Sequence, residues 1–173
     1  MRVADDAVLS EMVALLPRLR RFACGLTGSR ADADDLVQGA ALRALERIGQ
    51  WQPGTRLDSW MFRILQNLWI DQLRERRGRE VTMEPEDLAA RSVGDAAREQ
   101  EARLALGEVR REVAKLPPEQ CAVLMLVTVE GVSYREAAEI LEIPIGTVMS
   151  RLARARLALG RAIEGGAAAG AVA

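Results

Sequence analysis

The stretch from Gly131 to Leu159, GVSYREAAEILEIPIGTVMSRLARARLAL, constrains the chain most. Ser133 followed by Glu136 fits a capping box, in which hydroxyl and carboxylate satisfy orphan amides, so a helix is expected from Tyr134. Ala137, Ala138 and Leu141 put small and apolar groups on one face. Glu142-Ile143-Pro144 should end it, because Pro144 disfavours helical backbone at Ile143. A second helix is expected from about Ile145. Its apolar positions, Val148, Leu152, Ala155 and Leu159, recur every three or four residues, and Thr147, Ser150, Arg151, Arg154 and Arg156 lie opposite. That is the arrangement of a helix-turn-helix whose second helix enters the DNA major groove. A plain amphipathic helix pair with a solvated arginine face would show the same periodicity. The short turn and the small residues of the first helix favour DNA.

The apolar share of 49% can fill cores, and with only 3% aromatic residues these are built from Leu, Val, Ile and Ala. Alternating β-branched runs are few, so the expected class is all-α. The 173 residues suit one domain or two small ones. Net charge is −1, with 24 basic and 25 acidic residues, so any DNA-binding charge must be local. It is concentrated in RERRGR at 74–79 and RLARAR at 151–156. The absence of histidine excludes His-based metal or general-base sites. Cys24 and Cys121 form no C-x-x-C pair and are expected as reduced, buried thiols. Neither a cofactor nor a metal is expected. No apolar run approaches the roughly 20 residues of a membrane span. Asp5 and Asp6 stand where a signal peptide would be basic, so a cytoplasmic location is expected.

Taken in order, Asp5 to about Leu26 reads as a helix with Leu9, Met12, Val13, Leu16, Leu19, Phe22 and Leu26 inward. Pro17 should kink or divide it. Ser29 is a candidate N-cap for a helix from Arg30 to Ile48, with Leu36, Val37, Ala40, Ala41, Ala44, Leu45 and Ile48 inward. Gly39 in its middle costs about 1 kcal/mol relative to Ala. A loop at 51–55 precedes a helix expected from Asp58, as N-cap, to about Arg77. Residues 78–98 carry a proline, two glycines and weak periodicity, and read as a linker. Glu99 to Leu116 is helical in pattern. Pro118 suits the first turn of the next helix, and Gly131 is its candidate C-cap. The closing EGGAAAGAVA reads as a frayed tail.

The segment Trp51 to Arg79 combines an aromatic-bearing loop, a helix with Arg and Asn on one face, and a basic cluster. Single-stranded nucleic acid is held by such a set: cations for phosphates, rings for stacking, amides for base edges. Trp60 falls on the apolar stripe and reads as core. Trp69 is ambiguous, and Trp51, beside Pro53-Gly54, is the stacking candidate.

DADDLVQ, then W-x-P-G-T-R-L-x-S-W-M-F-R-I-x-x-N-L-W-I-D-x-L-R, then LPPEQCAVLMLVTVEGVSYREAAEILEIPIGTVMSRLARAR resemble a small sigma factor of bacterial RNA polymerase, of the extracytoplasmic-function group. The resemblance runs from about Leu15 to Leu159. It implies two small helical domains, 1–79 and 99–164, joined by a linker at 80–98 and followed by a disordered tail at 165–173. It implies that Asp34, Asp35, Leu36, Val37, Gln38 and Arg43 dock on core RNA polymerase. Trp51, Arg63 and Asn67 would capture an extruded base of the −10 promoter element, and Arg74, Arg76 and Arg77 would hold phosphates. Met149, Ser150, Ala153 and Arg154 would face base edges of the −35 element, with Thr147, Arg151 and Arg156 on the backbone. The implied partners are core polymerase, promoter DNA and an anti-sigma factor. No catalytic residue is implied.

Met149 stands where many members carry Lys or Arg, and Gly39-Ala40-Ala41 replaces a bulkier run. The rival reading is a dimeric helix-turn-helix regulator with an N-terminal sensing or dimerisation domain, binding palindromic DNA unaided. An enzyme is poorly supported: GGAAAG lacks the Lys-Ser/Thr of a phosphate loop.

Overall fold

The structure, a computed structural model, describes residues 2–80, 107 and 109–170, with side-chain surroundings for 6–76, 107 and 109–162. Its helices are α1 (Arg2–Thr27), α2 (Arg30–Glu46), α3 (Leu57–Glu80), α4 (Pro118–Leu124), α5 (Tyr134–Leu141) and α6 (Ile145–Gly170). A 3-10 turn, Ile48–Gln50, follows α2, and a π-helical turn, Met125–Val129, follows α4. Residues 109–114 are helical as well. No strand occurs among the described residues, and the all-α expectation holds. Of the expected linker, residues 81–98 lie outside the described residues, as do 99–106 of the helix expected from Glu99.

In the N-terminal half α1 and α2 form an antiparallel hairpin across which α3 packs. Leu19, Phe22, Leu36, Leu57, Met61, Phe62 and Leu65 are fully buried between them. The Phe22 and Phe62 rings meet edge to face, with centroids 5.3 Å apart and planes at 89°. That geometry contributes about 0.5–1.5 kcal/mol beyond the buried area. Ser29 caps α2 as expected, its hydroxyl accepting the Asp32 amide at 3.3 Å.

Several expectations need correction. Pro17 does not divide α1, which continues through it. The proline removes only the bond to Val13, and Met12 and Leu19 are buried on either side of it, so packing carries the helix past the defect. Asp58 is not the N-cap of α3, which starts one residue earlier at Leu57. Its carboxylate is used instead by Arg56, Arg18 and the Ser59 amide. The inner face of α2 is narrower than its apolar residues suggest: Ala33, Leu36, Ala40 and Ala44 are buried, whereas Leu45 is exposed. Leu9 and Val13 of α1 are exposed too. Small residues bring α2 close to α3, and a Cβ on Gly39 would lie 3.0 Å from Leu68 Cδ2. The mid-helix glycine is a close approach.

In the C-terminal half α4, α5 and α6 enclose Cys121, Val123, Leu126, Ala137, Ile140, Val148, Leu152 and Ala155. Pro118 occupies the first turn of α4, where a missing amide costs nothing. The π turn closes with the Glu130 amide on the Met125 carbonyl at 3.0 Å, and Gly131 then takes a φ of 68° that L side chains rarely adopt. The helix α6 runs to Gly170, past the start of the expected frayed tail. The two halves pack together, α1 against α4 and the π turn, α3 against α5.

Candidate nucleic-acid interface

The helix-turn-helix is built by local bonds. The Glu136 amide donates to Ser133 Oγ at 3.2 Å while the Ser133 amide donates to Glu136 Oε2 at 2.7 Å, so the expected capping box is present. At the turn Glu142 adopts the left-handed conformation, φ 54°, and its amide reaches back to the Ala138 carbonyl. Pro144 opens α6: its carbonyl accepts the Thr147 and Val148 amides at 2.9 and 3.2 Å. Val148, Leu152 and Ala155 are buried against α4 and α5. Met149, Ser150, Ala153, Arg154 and Arg156 are exposed on the opposite side, with Thr147 and Arg151 half-buried at its edges. The α6 residues expected to touch DNA therefore share one ridge. Ser150 Oγ donates to the Thr147 carbonyl at 3.1 Å.

A second surface lies on α3. Arg63, Asn67 and Arg74, four and seven residues apart, share a side of this helix. Asn67 and Arg74 are exposed, whereas Arg63 is half-buried. Arg63 Nη2 donates to the Glu139 carbonyl at 2.8 Å, and Nη1 lies 3.7 Å from Glu142 Oε1. The Arg76 guanidinium sits 5.8 Å over the Trp69 ring. The side chain of Arg77 lies outside the described residues. Trp51 belongs to the core margin: it is half-buried, and its Nε1 is buried without a hydrogen-bond partner. Trp69 is buried and Trp60 half-buried. Sequence reading missed Phe62 and Gln66, which are buried, because α3 is enclosed on more than one side. Arg56, which also faces the C-terminal half, carried no signal beyond its charge.

The third surface is on α2. Asp34, Asp35 and Gln38 are exposed, and with Leu16, Val37 and Ala41 they line a shallow groove between α1 and α2. Asp34 Oδ1 pairs with Arg20 Nε at 2.6 Å. Arg43 is half-buried, 3.5 Å from Asp71. Leu36 must be corrected: it is fully buried and supports this surface from beneath.

Residues 12–79 match the family described as Sigma-70 region 2, and residues 106–159 match Sigma-70, region 4. Over 87% of its length the chain is 42% identical to the ECF RNA polymerase sigma factor EcfG of Rhodopseudomonas palustris, covering 82% of that protein. The chain belongs to the extracytoplasmic-function sigma factors of the sigma-70 family. Solved structures agree with this placement. The sigma factor RpoE from Bartonella quintana, in complex with the anti-sigma factor NepR, superposes with a TM-score of 0.76 at 30% identity, over 90% of this sigma factor and 95% of that chain. CnrH, in complex with the cytosolic domain of CnrY, gives 0.69 at 25% identity over 93% and 90%. Like other sigma factors, this one is a transcription initiation factor: it binds core RNA polymerase and directs it to promoters. Sigma factors are non-catalytic initiation factors. No described helix of the chain is long and apolar enough to cross a membrane.

Proposed function

We propose that the sigma factor divides its work between its halves as follows. The N-terminal half, residues 1–79, docks on polymerase through Asp34, Asp35, Val37, Gln38 and Arg43 on α2. Its α3 handles the −10 element, with Arg63 and Asn67 at the bases and Arg74, Arg76 and Arg77 on phosphates. Trp51 supports base capture from the core margin and presents a ring face once the duplex opens. The C-terminal half, residues 99–164, reads the −35 element through α6, with Met149, Ser150, Ala153 and Arg154 at base edges and Thr147, Arg151 and Arg156 on the backbone. Residues 80–98 join the two. The protein carries no catalytic group of its own and works in the cytoplasm. The two solved relatives described above are bound by NepR and CnrY, which supports an anti-sigma partner here as well.

One observation carries this reading. The exposed ridge of α6 holds Ser150, Ala153, Arg154 and Arg156 on the second helix of a helix-turn-helix whose other side is buried. Arginine donates two parallel hydrogen bonds to guanine, and a small residue such as Ala153 allows close approach. The test is transcription in vitro on genomic fragments by core polymerase with and without the protein. New, discrete start sites are expected only with it. Asp35→Arg with Gln38→Arg should abolish them and weaken polymerase capture, with helical circular dichroism unchanged. Tight binding of palindromic DNA by the protein alone, as a dimer, would refute the reading.

A further inference from the structure

Four exposed residues of α6 form a row of their own. Ile145, Met149, Ala153 and Leu157 recur every four residues, the spacing that lines side chains up along a helix surface. The buried stripe of Val148, Leu152 and Ala155 fixes the rotation of the helix and keeps this row in solvent. Ile145 is 50% exposed, Met149 54% and Leu157 62%. A single apolar side chain on a surface is ordinary, but a row of them leaves apolar area for another molecule to cover. The surroundings of the row are polar and cationic. Ser150 and Arg154 directly follow Met149 and Ala153, and Arg151 and Arg156 belong to the same turns. Cations of this density suit phosphates and favour DNA over an apolar protein surface as the occupant. A Cβ on Gly146 would meet nothing within 4 Å, so the start of α6 is open to close approach.

We propose that Ile145 and Met149 read the 5-methyl groups of thymine in the −35 element. This rests on the reading of α6 as the helix that enters the major groove, where the N-terminal residues of such a helix meet base edges. Thymine alone carries an apolar group on that edge. The other bases present only donors and acceptors there, which a thioether or an alkyl chain would strip of water and leave unpaired. Thymine is favoured by what it adds, and its competitors are disfavoured by what they lose. Ile145 and Met149 lie about 6 Å apart along the helix axis, which suits methyl groups on neighbouring base pairs. Leu157, about 18 Å along the axis from Ile145, is beyond the first turns that enter the groove. An arginine in place of Met149 would select guanine instead, through two parallel hydrogen bonds.

The test uses the holoenzyme of core polymerase and full-length chain on promoter duplexes with a randomised −35 region. The enriched sequence should carry thymine on one strand or the other. Deoxyuridine in place of each thymidine in turn removes one methyl group and keeps the base pairing. At one position at least, the holoenzyme should then bind about fourfold more weakly, the effect of one buried carbon. Met149→Ala or Ile145→Ala should bind the two duplexes alike at that position, whereas Leu157→Ala should keep the fourfold difference. Selection repeated with Met149→Arg should enrich guanine. Equal binding of thymidine and deoxyuridine duplexes at every position overturns the proposal. A loss that persists when Met149→Ala and Ile145→Ala are combined belongs to the duplex itself and overturns it too. Weaker polymerase capture by that double variant, with methyl sensitivity intact, makes the row a protein contact. In these three cases an enriched −35 sequence that Arg154→Ala alters still leaves α6 as the reader. Absence of any enrichment defeats both and marks the failure as that of α6 itself.

Discussion

The Arg18 guanidinium joins two helices of the N-terminal half through one carboxylate: its Nη1 donates to Asp58 Oδ2 at 3.1 Å. Burial alone would raise the Asp58 pKa, but hydrogen bonds from Arg56, Arg18 and the Ser59 amide outweigh it and hold the group at about 2. A folded-state pKa below the unfolded value of about 3.9 stabilises the fold at neutral pH, and the contribution is lost as pH falls through about 4 to 2. Asp58→Asn should therefore cost about 2 kcal/mol of unfolding free energy at pH 7. In urea titrations the gap between wild type and variant should close between pH 4 and 2. A gap independent of pH would show that packing, not charge, is responsible.

The capping box sets where α5 begins. Ser133→Ala removes the acceptor for the Glu136 amide and should lower stability by about 1 kcal/mol, whereas Ser133→Asp should restore most of it. Thermal denaturation followed at 222 nm measures both. Equal loss in the two variants would mean that the hydroxyl cap contributes little.

Arg154 is exposed on the ridge of α6 proposed above to face the groove, and Arg151 is half-buried at its edge. Arg154→Ala should cost about 1–3 kcal/mol of discrimination between −35 sequences. Arg151→Ala should weaken binding about equally for all sequences and flatten the salt dependence by about one phosphate. Holoenzyme binding to a panel of −35 variants at several salt concentrations separates the two. No change in preference or affinity from either substitution would remove α6 as the reader.

On the assignment proposed above, Trp51 and Asn67 separate duplex binding from opening. A lost stacking platform costs about 1–3 kcal/mol per base, and only once the base has left the duplex. Trp51→Ala with Asn67→Ala should impair open-complex formation far more than initial binding. Permanganate reactivity of thymines near the start site measures opening. A template with a pre-melted −10 bubble should rescue in part, because unstacking is already done there while contacts to the captured base are still missing. Because Trp51 packs against the core, thermal denaturation of the double variant itself is the check that the fold survives. Normal thymine reactivity in the double variant would leave Trp51 a packing residue.

The local rules of the chain are legible from its residues. Ser29 and Ser133 carry the caps, Pro118 and Gly131 mark ends, and Val148, Leu152 and Ala155 mark the buried stripe of α6. Capping, periodicity and turn chemistry act over a few residues, so the identities of neighbours suffice to specify them. Tertiary packing decided what depends on residues far apart in sequence. It carried α1 through Pro17, exposed Leu45 and turned Asp58 from a cap into an arginine partner. It also seated Trp51 at the core margin and Arg63 against Glu139 and Glu142, 76 residues from the first of these. Which apolar residues are covered, and which carboxylate meets which guanidinium, depends on the approach of whole helices, and side-chain chemistry alone holds no record of that.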